Sequence, residues 1–226
     1  MGDAHPAADD AWEAAYVRFQ TPEQEVRKFV RRLRALGARR WSSDARILDL
    51  FCGRGGGMAA LTNFGFGRVC GIDLSPRLLR LHQGASDRVA GDCRALPFAR
   101  ASFDIAIVQG GLHHLAALPA DLERVLEEVE RVLEPGGLFV AVEPWRTPFL
   151  DLVHAVAGRR PAQYASRKLD ALATMIELEG DVYRRWLDAP EAISALLTAR
   201  FEPELRETRW GKLLFAGRTR RSARPA

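Results

Sequence analysis

The stretch from Ile47 to Gly57, ILDLFCGRGGG, constrains the fold more than any other. Ile47, Leu48 and Leu50 flank Asp49 and read as a buried strand, and Gly53, Gly55, Gly56 and Gly57 then form a turn into a helix. A strand that ends in glycines lets backbone N–H groups approach a ligand without interference from Cβ atoms, as nucleotide-type sites require. The same turn also serves tight strand-to-helix packing with no ligand. The surrounding chain has to decide between the two.

Downstream, apolar runs alternate with helical periodicity. Arg68–Asp73 (RVCGID) reads as a second strand, and Ser75-Pro76 caps a helix carrying Leu78, Leu79 and Leu81. Val89 to Asp92 ends a third strand, and Phe103–Gln109 (FDIAIVQ) is a fourth, suited to burial on both faces. Leu122, Val125, Leu126, Val129, Val132 and Leu133 mark a helix that stops at Glu134-Pro135-Gly136-Gly137, before a fifth strand from Leu138 to Val142. This alternation predicts a doubly wound, mostly parallel α/β sheet. Residues 144–187 keep a helical rhythm with no strand and are expected to form a helical cap over the ligand face. A helix from Asp188 through Leu197 and two strands joined at Trp210-Gly211 close the sheet with an antiparallel pair.

Upstream, residues 1–40 form an N-terminal helical extension to a main domain of residues 41–226. Its first ten residues are expected to be disordered. Trp12, Tyr16 and Phe19 then share one side of a short helix. Thr21, Pro22 and Gln24 form a capping box for a second helix, with Val26, Phe29, Val30, Leu33 and Leu36 at helical spacing and Gly37 as its stop.

Composition narrows the setting. The chain of 226 residues suits one domain with extensions. No apolar run reaches membrane-spanning length and MGDAHPAADD lacks signal-peptide features, so a cytoplasmic location is expected. Cys52, Cys70 and Cys93 have no metal-ligand spacing and read as reduced thiols. The net charge of +4 and pI near 9.3 invite a nucleic-acid partner, but 30 arginines against Lys28, Lys168 and Lys212 reflect compositional bias, with acids interspersed. The basic clusters at Arg27 to Arg40 and at Arg218, Arg220, Arg221 and Arg224 read as a solvated helix face and a terminus.

In open α/β sheets, ligands bind beyond the carboxyl ends of the strands. Gly53 to Gly57, Asp73, Asp92 and Gln109 to His114 occupy those ends. Asp73 stands 20 residues after Gly53, a spacing that also suits a nicotinamide cofactor. Met58 stands where a dinucleotide fingerprint wants a small residue, and no hydride-transfer set is evident. The ordered motifs ILDLFCGRG, CGIDLSP, GDCRALPF, FDIAIVQGGLHHL and RVLEPGGLFVAVEP, over about residues 40 to 145, resemble the class I S-adenosylmethionine-dependent methyltransferases. The likeness is to their small-molecule, methyltransferase type 11-like branch, with Phe51 in place of a common glycine.

That resemblance implies a Rossmann-like fold, S-adenosyl-L-methionine as cofactor and S-adenosyl-L-homocysteine as product. It implies that Asp49, Phe51, Cys52, Gly53 and Gly55 hold the methionine end, and that Asp73 accepts from the ribose hydroxyls with Leu74 flanking the adenine. It further implies that Asp92 and Cys93 meet the adenine edge and that Gln109 closes the site. The sulfonium methyl is already activated, so a protein has mainly to align an acceptor, exclude water and, where needed, take a proton. His113, His114 and Glu143 are the candidate catalytic residues, although adjacent histidines cannot both face a site in regular structure. No acidic cluster accompanies them, so no metal is expected. Tyr16, Phe19, Trp145, His154, Tyr164 and Trp210 are candidate walls of the acceptor pocket. The expected partner is a small-molecule acceptor rather than nucleic acid or membrane, for a monomer or homodimer. A tRNA or rRNA base methyltransferase and a non-catalytic cofactor-binding partner are the alternatives, but QGGLHH lacks the Asn/Asp-Pro-Pro-aromatic arrangement of amino-group base methylation.

Overall fold

The computed structural model describes residues 10–157 and 167–220. Five parallel strands lead the sheet: β1 (Arg46–Leu50), β2 (Arg68–Asp73), β3 (Asp87–Ala90), β4 (Phe103–Gln109) and β5 (Leu133–Pro144). With β6 (Phe201–Arg209) and β7 (Lys212–Thr219), both in antiparallel pairings, they give the order β3-β2-β1-β4-β5-β7-β6. Strand order reverses between β1 and β4, as in a doubly wound Rossmann-like sheet. The helices are α1 (Asp10–Phe19), α2 (Pro22–Ala35), α3 (Gly56–Asn63), α4 (Pro76–Arg80), α5 (Ala120–Val132), α6 (Pro148–Ala157), α7 (Arg167–Leu187) and α8 (Pro190–Arg200). None is long and apolar enough to cross a membrane.

The period of two along each central strand divides the core between the sheet's faces. Leu48, Leu50, Ala106, Val108, Phe139 and Ala141 join α5 on one side. Ile47, Ile105, Ile107, Leu138, Val140 and Val142 join α2 and α3 on the other. The α5 stripe Leu122, Val125, Leu126, Val129 and Val132 is fully buried, each side chain stabilising by about 1.5–3 kcal/mol. The capping box starts α2 as expected: Gln24 N donates to Thr21 Oγ1 and Thr21 N to Gln24 Oε1, both at 3.3 Å.

Among the element boundaries that differ from the sequence reading, two stand out. The Glu134-Pro135-Gly136-Gly137 stretch is part of β5 rather than a turn, because the Thr219 hydroxyl accepts from Gly136 N and donates to the Glu134 carbonyl, both at 2.9 Å. The third strand ends at Ala90, so Asp92 lies in the following loop, where its Oδ1 accepts from Arg94 N at 2.8 Å.

Residues 144–187 carry α6 and α7, with a break in α7 at Gly180 (φ 45°, ψ −114°). α7 packs against α1 through Trp12, Ala15 and Met175, with Tyr16, Phe19 and Leu172 around them.

Close approach of α3 to the sheet depends on Gly71 in β2, where a Cβ would fall 2.4 Å from Met58 Sδ and 2.8 Å from Cys52 Sγ. Gly71→Val should therefore lower unfolding stability by about 1–3 kcal/mol through overpacking. Gly67→Ala, at a position open to solvent space, should change it by less than about 0.5 kcal/mol. Urea denaturation of both variants checks the contrast, and equal effects would refute the packing account.

Candidate active site

A cavity of about 390 Å³ opens beyond the carboxyl ends of β1, β2 and β4, under α1 and α7. Its floor begins with Asp49. This residue is 3% exposed, and its Oδ2 has no hydrogen-bond partner among the described residues. A Cβ on Gly57 would stand 2.4 Å from that oxygen, so the glycine keeps the space around it clear. Burial, with Asp73 and Glu25 nearby, pushes the Asp49 carboxyl up to about 8, partly offset by the Met58 N–H.

Asp73 ties the glycine turn to the end of β2. Its Oδ2 accepts from Gly53 N at 2.8 Å and its Oδ1 from Ser75 N at 2.9 Å, while the Ser75 side chain caps α4. Burial raises its pKa against those two donors. The turn-carboxylate reading of Asp73 and its place in the cavity wall are thus both true. Asp92, paired with Arg94 at 2.8 Å, and buried Cys93 line the same wall with Leu74.

Phe51 and Cys52 also line the cavity. Phe51 adopts φ 53°, the left-handed conformation that the common glycine would take, and its ring fills the space a Gly111 Cβ would need, 2.4 Å from Phe51 Cβ and Cγ. Burial pushes the Cys52 and Cys93 thiols up, away from thiolate chemistry. Gln109 presents both amide atoms, buried and without a partner among the described residues, at the end of β4. Gly55 is not in the cavity wall: at φ 85° it precedes α3, and a Cβ there would strike His82.

Beyond β4, a short 3₁₀ turn, Leu112–His114, changes one expectation. Its tight geometry brings both histidines into the cavity wall, with ring centres 4.0 Å apart, although they are adjacent in sequence. Glu143, fully buried at the end of β5, accepts through Oε1 from Gly111 N at 2.9 Å and Leu112 N at 3.0 Å. Its Oε2 lies 2.7 Å from His113 Nδ1. Burial opposes ionisation of Glu143, but the His113 contact and the two N–H groups together hold its carboxyl below the usual range. Glu143 is not itself in the cavity wall; it reaches the site through His113.

The lid contributes groups that sequence reasoning did not assign. Trp12 Nε1 donates to Glu179 Oε1 at 2.7 Å, and the Trp12 ring stacks on Tyr16 and meets His114 edge-on. Glu179 Oε1 lies 3.6 Å from His114 Nδ1 and its Oε2 lies 4.0 Å from His113 Nε2. An acid therefore does accompany the histidines. The three residues offer donor atoms within 4.8 Å of one another, a spacing that can hold a metal ion. Tyr16 donates to Glu25 Oε1 at 2.6 Å, and Arg54 Nε donates to Glu25 Oε2 at 2.8 Å. Glu25 and Glu179 each sit four residues from buried partners on their own helices, Phe29, Met175 and Tyr183. An acid on an apolar stripe was the legible signal for both.

Of the expected acceptor walls, Tyr16 and Phe19 line the cavity. Trp145, His154 and Trp210 do not. Trp210 is 72% exposed, in the turn before β7, with its ring edge-on to Phe149. His154 Nε2 lies 3.2 Å from the Tyr183 hydroxyl, and it is Tyr183 that reaches the cavity. Tyr164 lies outside the described residues.

The arrangement suits a cation-bearing nucleoside: a buried Asp49 oxygen and a buried Gln109 amide without partners among the described residues, a space kept clear by Gly57 and a second carboxylate at the end of β2.

Comparison with known proteins agrees. Residues 48–141 match the family model described as Methyltransferase domain. The chain is 33% identical over 115 residues to a sterol 4-C-methyltransferase of Caenorhabditis elegans, covering 47% of this chain and 33% of that protein. It is 32% identical over 156 residues to a demethylmenaquinone methyltransferase of Symbiobacterium thermophilum, covering 55% and 61%. The chain therefore spans less than two thirds of the length of each of these relatives. In fold it is similar to a protein of Pyrococcus horikoshii, with TM-score 0.65 at 20% identity over 90% of this chain and 96% of that one. With its reversed strand order and the glycine turn over Asp49, the chain has a Rossmann-like methyltransferase fold whose residues 48–141 match the methyltransferase family model.

Proposed function

We propose that this protein transfers the methyl group of S-adenosylmethionine to a small-molecule acceptor beneath α1 and α7. The carrying observation is the buried Asp49 Oδ2, unpartnered in the same cavity as Asp73 and Gln109. A carboxylate held this way needs a cationic donor, and the amino group of a methionine moiety is one. When bound, the cofactor supplies an activated methyl on a sulfonium. Asp49, Gly53 and Gln109 would hold its amino-acid end, Asp73 its ribose, and Leu74, Asp92 and Cys93 its adenine. The curated relatives named for a sterol and for demethylmenaquinone support a small-molecule acceptor.

His113 takes the acceptor's proton. A carboxylate only accepts hydrogen bonds, so Glu143 keeps the proton on Nδ1 and leaves the Nε2 lone pair for the acceptor. Glu143 is a positioning residue. Its Oε1 fixes the 3₁₀ turn while its Oε2 sets the tautomer.

Binding of labelled cofactor tests the assignment, and no affinity would sink it. Activity on bulk tRNA with none on a panel of phenols, quinols, amines and acids would instead favour the base-methylating alternative. Asp49 adds a pH signature. The cofactor's ammonium requires the ionised carboxylate, so below about 8 binding must first expel a proton. Affinity should rise with pH from 6 to 8 by up to about tenfold per unit, and Asp49→Asn should abolish that slope. A flat wild-type profile measured by equilibrium dialysis would remove Asp49 from this role.

Glu143→Gln separates positioning from folding. The amide oxygen can still accept from Gly111 and Leu112, but its NH₂ would donate to Nδ1 and leave Nε2 protonated. We expect kcat to fall about 100-fold or more, with KM for the cofactor little changed and the melting temperature nearly kept. His113→Gln should lose a comparable factor. Undiminished kcat in both variants would show that the reaction needs no base here.

A further inference from the structure

The basic cluster of α2 divides in the structure. Arg27, Arg31 and Arg34 are exposed, whereas Lys28 and Arg32, one turn apart, line the cavity together with Lys212 at the start of β7. Lys28 Nζ donates to Gln20 Oε1 at 2.6 Å, and Lys28 and Arg32 lie 4.6 and 5.4 Å from the Phe29 ring centre. Arg32 and Lys212 form no ion pair among the described residues, although acids are close. Glu25 is paired with Arg54, Glu143 is occupied by Gly111, Leu112 and His113, and Glu179 faces Trp12 and the two histidines. Burial, and then repulsion from Arg32, depress Lys28 to about 7 and Lys212 to about 8. Burial likewise lowers Arg32, to about 10. Cations gathered in a cavity whose acids are already engaged elsewhere are costly unless a ligand supplies an anion.

Their position indicates which ligand. Lys212 is the register partner of Pro144 at the end of β5, and β7 lies three strand steps from β1. At the usual strand spacing that is about 14 Å from the strand that carries Asp49. Lys212 therefore lies beyond β4 and β5, whose ends carry the His113 turn and Glu143, on the side away from β1, with Arg32 near enough to repel it. Phe29, Leu172, Met175, Ile176 and Tyr183 give the same cavity its apolar lining.

Resting on the methyltransferase reading above, we propose that the acceptor is an amphipathic acid, its carboxylate bound by Arg32 and Lys212 and its apolar body lying against Phe29 and Met175. The carboxylate engages the guanidinium and the ammonium by charge-assisted hydrogen bonds, which orients the opposite end of the acceptor toward His113. The relatives named for a sterol and for demethylmenaquinone do not predict this acidic end.

The test is isothermal titration of the protein saturated with S-adenosylhomocysteine, using phenylacetate and phenylacetamide, which share shape and differ in charge. Phenylacetate should bind about tenfold or more tighter, and in Arg32→Gln and Lys212→Gln the preference should fall below about threefold. The variants' S-adenosylhomocysteine affinity should stay within about twofold of wild type, and Arg32→Lys should restore part of the preference. Equal or undetectable binding of both probes by wild type, or a preference that survives both substitutions, would overturn the proposal. So would a loss of S-adenosylhomocysteine affinity in the variants, which would assign the two cations to the cofactor's own carboxylate. If wild type fails to bind S-adenosylhomocysteine, the methyltransferase reading fails separately, and the same probe pair on the free protein still reads the anion site.

Discussion

Buried carboxylates at the carboxyl ends of the strands are the constraint from which the rest of this site follows. A carboxylate removed from water has to be met by donors or by a positive charge, and the loops above the sheet take the shapes that provide them. Glu143 is the most completely met, by two N–H groups and a histidine, and its turn is correspondingly tight. Asp73 receives two backbone donors, one from each flanking loop. Asp49 retains an oxygen that nothing in the described chain meets. Satisfaction is thus most complete at the end of β5 and least complete at the end of β1, with Asp73 on β2 intermediate, so the deficit is concentrated under the glycine turn.

The lid repeats this logic with long-range partners. Trp12 and Glu179 stand 167 positions apart and meet only above the cavity. Glu25 collects Tyr16 from α1 and Arg54 from the glycine turn, which fastens the N-terminal helices to the loop over β1. Truncating either acid would strand buried donors on two elements at once, an effect larger than the loss of one hydrogen bond. Packing alone would hold α1 less specifically, because Trp12, Ala15 and Met175 form only a small apolar contact.

Strand and helix identity was legible because alternation of period two and apolar stripes of period 3.6 are local properties. The parallel core, the capping box at Thr21 and the antiparallel ending could all be read from residue spacing. Asp49, Asp73, Asp92 and Gln109 could be placed together because strand ends in this topology converge. The lid was not legible in the same way. Trp210 and Trp145 looked like pocket walls by composition, yet a turn and a strand end direct them elsewhere, while Glu179 and Lys212 enter from distant segments that no local pattern links to β4. The adjacent histidines were misjudged because regular periodicity does not describe a 3₁₀ turn. Lys28 and Arg32 were hidden among arginines that do face solvent.

Phe51 carries a consequence for how this site can vary. A non-glycine residue at φ 53° is strained by about 1 kcal/mol or more, and its ring occupies the volume next to Gly111. The two positions therefore form a reciprocal pair across the β1 and β4 loops. A chain with glycine at 51 would relax the backbone and admit a side chain at 111, whereas this chain has the side chain at 51 and an obligatory glycine opposite. The aromatic wall of the cavity can thus be supplied from either loop but not from both, so drift at one position is admissible only in step with the other.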